Sequence, residues 1–197
     1  HAGTMIATAT DPLLLNWKKI PGFPVIPLPK NGETLPYNVF DPCIWKQGEF
    51  YYLLTAGTLT DKLGGKKRRA DFLHRSKDLE HWEYLHPFVQ DDYYGLVGDD
   101  GACPYFWPLG DKHILLHYSH MSGGKYLIGE YDAKRQKLVT LNGGSFNHGL
   151  SNMGGVHAPS AFPDGNGGLV AVFNMNPAKP TDGWNQIMTL PLQLNLK

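Results

Sequence analysis

Charge of one sign is what this 197-residue sequence lacks most plainly: 18 lysines and arginines offset 18 aspartates and glutamates, for a formal net charge of zero. Charged residues make up only 18% of the chain. A protein built to hold nucleic acid or an anionic membrane surface shows a basic excess, so neither partner is expected. Cysteine is scarce too. Cys43 and Cys103 are too few for a disulfide framework, no CxxC is present, and both read as buried free thiols. No apolar run approaches the ~18 residues that a membrane-spanning helix needs. The first residues, His-Ala-Gly-Thr-Met, show no basic segment followed by an apolar one, so no secretory signal is visible and the compartment is left open. Helix-period patterning is nearly missing as well, which argues against a helical domain.

What is abundant is turn chemistry. Glycine and proline account for 38 residues, well above the roughly 12% of average usage. With 42% apolar residues and 24 aromatics, the chain can still bury a substantial core. Its apolar stretches are short and bounded by Gly, Pro, Asn and Asp. Gly48 to Leu54, Lys112 to Tyr118 and Leu169 to Phe173 each follow a turn signal and carry β-branched, leucine or aromatic side chains, as strands do. The chain reads as all-β.

Two phrases recur. Asp41-Pro42-Cys43-Ile44-Trp45, Ala102-Cys103-Pro104-Tyr105-Phe106-Trp107 and His157-Ala158-Pro159-Ser160-Ala161-Phe162 each join a proline-bearing strand to a turn and then to one of those apolar strands. Thr10-Asp11-Pro12-Leu13 with Trp17 is likewise repeated by Ser76-Lys77-Asp78-Leu79 with Trp82. A repeat of about four strands is the sequence sign of a β-propeller blade, which cannot bury both its faces alone and so stacks on its neighbours. The spacing predicts a partial propeller: the end of a preceding blade with a linker over 1–37, that blade's fourth strand lying around Trp17 to Val25, then four-stranded antiparallel blades over 38–89, 90–142 and 143–197. Since a closed propeller needs at least four blades, the length suggests about three-fifths of a larger domain. The raw blade faces would then be covered by a homodimer partner or by a companion segment.

On these phrases the chain resembles the five-bladed glycosidase propellers, above all glycoside hydrolase family 32, the invertases, inulinases and levanases. Phe40-Asp41-Pro42 occupies the place of the family's Arg-Asp-Pro, and Ser76 to Trp82 resembles its Ser-x-Asp-Leu-x-x-Trp. Ala102-Cys103-Pro104 stands for Glu-Cys-Pro, His157-Ala158-Pro159 for Tyr-Ala-Pro, and Gly183-Trp184 with Met188 to Pro191 for the closing phrase. The resemblance implies a saccharide substrate and a retaining hydrolysis without cofactor or metal. In that chemistry two carboxyl groups about 5–5.5 Å apart act across the scissile bond, one as nucleophile and one as acid/base. The aspartate matching Asp41 binds sugar hydroxyls and supports the transition state.

The departures bear on the chemistry. The family's nucleophile motif, Trp-x-Asn-Asp-Pro-Asn-Gly, is not present, and Ala102 stands where the acid/base glutamate is expected. Ala102 has three accounts: an engineered knockout, a natural loss, or a replacement acid drawn from Gly98-Asp99-Asp100-Gly101. The third makes Asp99 and Asp100 candidates, against their reading as a solvated turn. Phe40, Cys103, His120, His157 and Trp107 are candidates for sugar contact, while the tryptophans are equally suited to packing between blades. His117 and His120 lie three apart on a strand, on opposite faces, so a metal pair there is not expected. Lys66 to Arg69 reads as a solvated hairpin flank. A glycosidase acting on fructosyl or related furanosyl linkages is one reading; a catalytically inactive carbohydrate-binding propeller module is the other.

Overall fold

Two-residue turns set the architecture. Gly48-Glu49 joins β3 (Pro42–Gln47) to β4 (Phe50–Thr60), and Gly110-Asp111 joins β8 (Ala102–Leu109) to β9 (Lys112–Ser119). In both turns the glycine has φ near +60°, a conformation that tight hairpins demand and that other residues adopt only under strain. The structure, a computed structural model, describes residues 3–22, 24–60, 64–146, 155–177 and 179–197. Among these residues there is no helix, hence none long and apolar enough to cross a membrane.

Three antiparallel sheets follow one another along the chain. The first runs β3–β4–β5–β6, with β5 at Lys67–Ser76 and β6 at Glu83–Pro87. The second runs β8–β9–β10–β11, with β10 at Gly123–Asp132 and β11 at Lys137–Ser145; β7 (Val89–Gln90) adds a short parallel strand at its outer edge. The third pairs β12 (Gly155–Pro163) with β13 (Leu169–Asn176), and β13 with both β14 (Ile187–Met188) and β15 (Leu192–Leu194). Phe88 bridges the first two: its N–H donates to the Asp71 carbonyl, and its own carbonyl accepts from Leu138. Each sheet packs its broad face on the next, and the first strands β3, β8 and β12 stand side by side. These are the blades of a partial β-propeller.

The stacking explains the apolar runs. Strands buried on both faces read as continuous hydrophobic stretches rather than as an alternation. On β9, Leu115 enters the core shared with the first sheet, beside Leu54, Phe88 and Phe106, while Ile114 and Leu116 enter the core shared with the third, beside Leu169 and Phe173. On β4, Leu54 faces the second sheet and Leu53 packs the other way, against Ile26 and Val39. The N-terminal segment thereby lids the free face of the first blade. In place of one strand over Trp17 to Val25, it folds as the small ribbon β1 (Ala7–Thr8) with β2 (Lys18–Lys19), plus a bridge between Thr4 and Ile26.

The second repeated phrase is a repeated turn. Trp17 and Trp82 each donate their indole N–H to the carbonyl three residues back, at Leu14 and Leu79, over 2.7 and 2.9 Å. Both leucines have positive φ, at 54° and 70°. Gly154, which precedes the His157 phrase, lies outside the described residues.

Arg69 departs from the solvated reading of its basic run. Lys66, Lys67 and Arg68 are exposed, but Arg69 is buried, its guanidinium Nη1 2.6 Å from Asp71 and its Nε 2.9 Å from Asp92. Strand alternation accounts for this: Arg69 and Asp71 share the face of β5 that looks into the second sheet. Two histidines are also buried, His117 beside Arg69 and His74 on the other face of β5 against Tyr37. Burial lowers His74 to about 4 and holds His117 well below the usual histidine range, with the Arg69 and Lys125 charges adding to the effect at His117. Both are neutral in the fold and charge readily once unfolded. Their contribution is therefore intact above pH ~6.5 and is lost as the pH falls towards 4, by roughly 3 kcal/mol for His74 alone. Urea unfolding at pH 7.5 and 4.5 is expected to show a lower midpoint in acid, with a smaller gap in the H74F/H117L double variant; equal gaps would contradict it.

Candidate active site

The three first strands begin at one end of the blades, and an open cleft of about 710 Å³ lies there. Phe40, Asp41 and Pro42 enter it from the start of β3, Asp100, Ala102 and Cys103 from the start of β8, and His157 and Ala158 from β12. Tyr118 and His120 come from the end of β9, and Gly3 to Met5 close the side nearest the N-terminal ribbon.

The pre-proline residues shape it. Cys103 and Ala158, each followed by proline, have φ of 52° and 47°, and each lies at a break in register with the next strand. A bulge adds one residue to a strand and re-aims its neighbours, and a non-glycine residue at positive φ there costs of the order of 1–3 kcal/mol. One consequence is visible at Cys103. Its N–H leaves the β8–β9 ladder and donates to Asp41 Oδ2 across the blade boundary, over 3.0 Å, and its thiol reaches the same oxygen at 3.4 Å. Asp41 is thus fixed by its neighbour blade while remaining exposed on the cleft. Burial first, then the Asp41 and Asp100 charges, push the Cys103 thiol up to about 12, so it stays protonated and is no nucleophile. Cys43 is buried, as its composition suggests, whereas Cys103 is only half-buried at the cleft wall.

The paired aspartates have different fates. Asp99 is fully buried and points away from the cleft, accepting hydrogen bonds from Ser119 Oγ (2.7 Å), Ser122 Oγ (2.5 Å) and the Leu96 N–H (2.7 Å). It holds the 96–101 loop to the end of β9. Asp100 lines the cleft and grips His120: Oδ2 lies 2.6 Å from Nδ1, and Oδ1 accepts from the His120 N–H at 3.3 Å. His120 then meets Tyr118 edge-on at 5.2 Å between ring centres, and Tyr118 meets His157 at 5.1 Å. Burial, and then the charge of His120, lower His157 below the ordinary histidine range.

Trp107 lies away from this end. It packs edge-on against Phe162 of the next blade, and Trp45 packs with Tyr52, Phe88 and Phe106, so both serve blade stacking. His117 faces the first blade, opposite to His120, as strand alternation requires. Among the described residues, no three of His, Cys, Asp and Glu are grouped to hold a metal ion. Sequence reasoning did not find Tyr118, the Asp41–Cys103 bond or the Asp100–His120 pair. Counting back from the Gly110-Asp111 turn would not have found the last: an unbroken register sets Gly101 opposite His120, and only the bulge between Ala102 and Tyr105 moves Ala102 opposite Tyr118.

The proline-bearing strands, converging on one cleft in the order of the repeated phrases, match a known pattern along their whole length. The model of the glycosyl hydrolases family 32 N-terminal domain covers residues 2–197. The chain belongs to glycosyl hydrolase family 32. Among its curated relatives, the sucrose-6-phosphate hydrolase of Salmonella typhimurium is 34% identical over 95 residues, 47% of this chain and 19% of that protein. The cell wall β-fructofuranosidase of Pisum sativum is 24% identical over 94% of this chain and 37% of its own length. The solved Bombyx mori GH32 β-fructofuranosidase BmSUC1 superposes with a TM-score of 0.70 at 23% identity, over all of this chain and 45% of that one. The exo-inulinase of Aspergillus awamori gives 0.55 at 19% identity, over 96% of this chain and 40% of that one. These likenesses establish the propeller fold. The chain spans less than half the length of each relative.

Proposed function

We propose that this chain is the fructosyl-binding part of a retaining glycosidase that hydrolyses O-glycosyl bonds in fructosyl and related furanosyl saccharides. The observation that carries this reading is Asp41, an exposed carboxylate in an Asp-Pro step at the mouth of the stacked blades, fixed by an N–H of the neighbouring blade. Family membership supports it, as do the activities named for the relatives, a sucrose-6-phosphate hydrolase and a β-fructofuranosidase. In this reading Asp41 accepts hydrogen bonds from sugar hydroxyls, and its charge faces the positive carbon of the oxocarbenium-like transition state. Phe40, exposed on the cleft, offers an apolar face to the C–H side of the ring. The nucleophilic carboxylate comes from outside these 197 residues, whose sequence holds no Asn-Asp-Pro. The exposed Val170, between Leu169 and Ala171 that enter the core shared with the second sheet, lies on the outer face of the third sheet and supports cover by a companion segment or a second copy.

The test is turnover of sucrose and inulin by the full-length gene product. Release of fructose from these, with none from pyranosides of the same leaving groups, is the expected result. Ala102 favours a second reading, a carbohydrate-binding propeller without turnover. Sugar binding with no fructose release over days would select that reading instead.

A further inference from the structure

Hydrolysis of a glycoside needs a group that gives a proton to the departing oxygen and then takes one from water. Residue 102 offers none, being alanine. Several proton-carrying side chains line the cleft, and their surroundings separate them. The Cys103 thiol is held protonated near 12, and burial raises the Tyr118 phenol above its ordinary range. Neither cycles near neutral pH. His157 Nε2 is enclosed without a hydrogen-bond partner, so it is not presented to a ligand. Both oxygens of Asp100 already serve as acceptors for His120, whereas a general acid must present its proton to the cleft. His120 differs from all of these. Its side chain is 58% exposed, and the 2.6 Å contact anchors Nδ1. A ring nitrogen bound to a carboxylate fixes the tautomer and leaves the other nitrogen for chemistry.

We propose that His120, anchored through Nδ1 to Asp100, is the proton donor and acceptor of this cleft, filling from the end of β9 the role that Ala102 leaves empty on β8. The inference rests on the glycosidase reading above. In the first step the Nε2 proton of the imidazolium passes to the bridging oxygen as its bond to the anomeric carbon breaks. The bonding pair stays on that oxygen, and an aspartate or glutamate carboxylate bonds to the carbon. In the second step the neutral imidazole takes a proton from water, the water oxygen bonds to the anomeric carbon, and the carboxylate leaves with its pair. One water is consumed and His120 ends protonated, as it began. Asp100 is a positioning residue; Asp41, Cys103, Tyr118 and His157 are the other titratable groups facing the pair.

A leaving-group comparison in the full-length gene product tests this. Sucrose needs protonic assistance, whereas 4-nitrophenyl β-D-fructofuranoside departs as a stable phenolate and needs little. In H120A, kcat/KM for sucrose is expected to fall about 10²–10³-fold and that for the nitrophenyl substrate less than about tenfold. D100N is expected to show the same split at smaller size. In ring ¹⁵N spectra, neutral His120 is expected as the Nδ1–H form in the wild type and to lose that preference in D100N. Equal losses on both substrates, no loss on sucrose, or an Nε2–H form in the wild type would each overturn the assignment. A wild-type protein inert to both substrates would overturn the glycosidase reading, and this one with it.

Discussion

Replacing Arg69 with alanine is expected to destabilise the fold by about 3–5 kcal/mol, the loss that follows when one partner of a buried ion pair is removed. Its side chain and that of Asp71 are 1% and 0% exposed, and their 2.6 Å contact has no solvent to replace it. Desolvation pushes the Asp71 carboxyl up and the adjacent guanidinium draws it back down, so without Arg69 the carboxyl is left to its burial. The same side chain ties the first blade to the loop before β8. Its Nε pairs with Asp92 off the line of an aligned hydrogen bond, and its methylenes lie under Gly101, where a Cβ would come within 3.2 Å of Arg69 Cβ. That loop delivers Asp99 and Asp100. The expected result is a fall in Tm of roughly 6–20 °C together with lost activity, read by calorimetry. An R69M/D71L pair, which removes both charges, is expected to recover much of the stability. Full stability in R69A would show that the cluster is solvated.

Removing the Asp41 carboxylate is expected to lower kcat/KM on sucrose by about 10²–10³-fold, the usual effect of deleting one group that stabilises charge in the transition state. Two substitutions separate its parts. D41A also strips the acceptor from the Cys103 N–H, and an unpaired N–H costs of the order of 1–3 kcal/mol where it is buried. D41N retains an acceptor oxygen for that N–H and loses only the charge. The two are expected to be similarly inactive, with D41N the more stable. An active D41N would mean that Asp41 serves the blade boundary alone.

How far the sequence led depends on the range of the interaction. The hairpins were legible because their turns demand glycine at 48 and 110, and the blade stack because Leu53-Leu54 and Leu115-Leu116 are adjacent leucines that enter opposite cores. The Trp17 and Trp82 phrases were legible as repeats because each is a self-contained turn. Long-range pairing was not. Arg69 reads as the end of a charge run until β5 is placed, and its second partner, Asp92, comes from a loop with no pattern of its own. Asp99 and Asp100 look alike in sequence and part only when the end of β9 is present, one bound by serines and the other by His120. The cross-blade bond from Cys103 to Asp41 depends on a bulge that a proline step suggests but does not specify.

The central claim is that the cleft at Asp41 takes the fructosyl unit. Titration of fructose into ¹⁵N-labelled protein, followed through backbone amides, tests it most directly. Saturable shifts centred on Asp41, Cys103, Tyr118, His120 and His157, and their loss in D41A, are the expected result. Shifts centred instead on the separate hollow between Trp45, Phe106 and Trp107 at the opposite end of β8, or no shifts at any concentration, would contradict it.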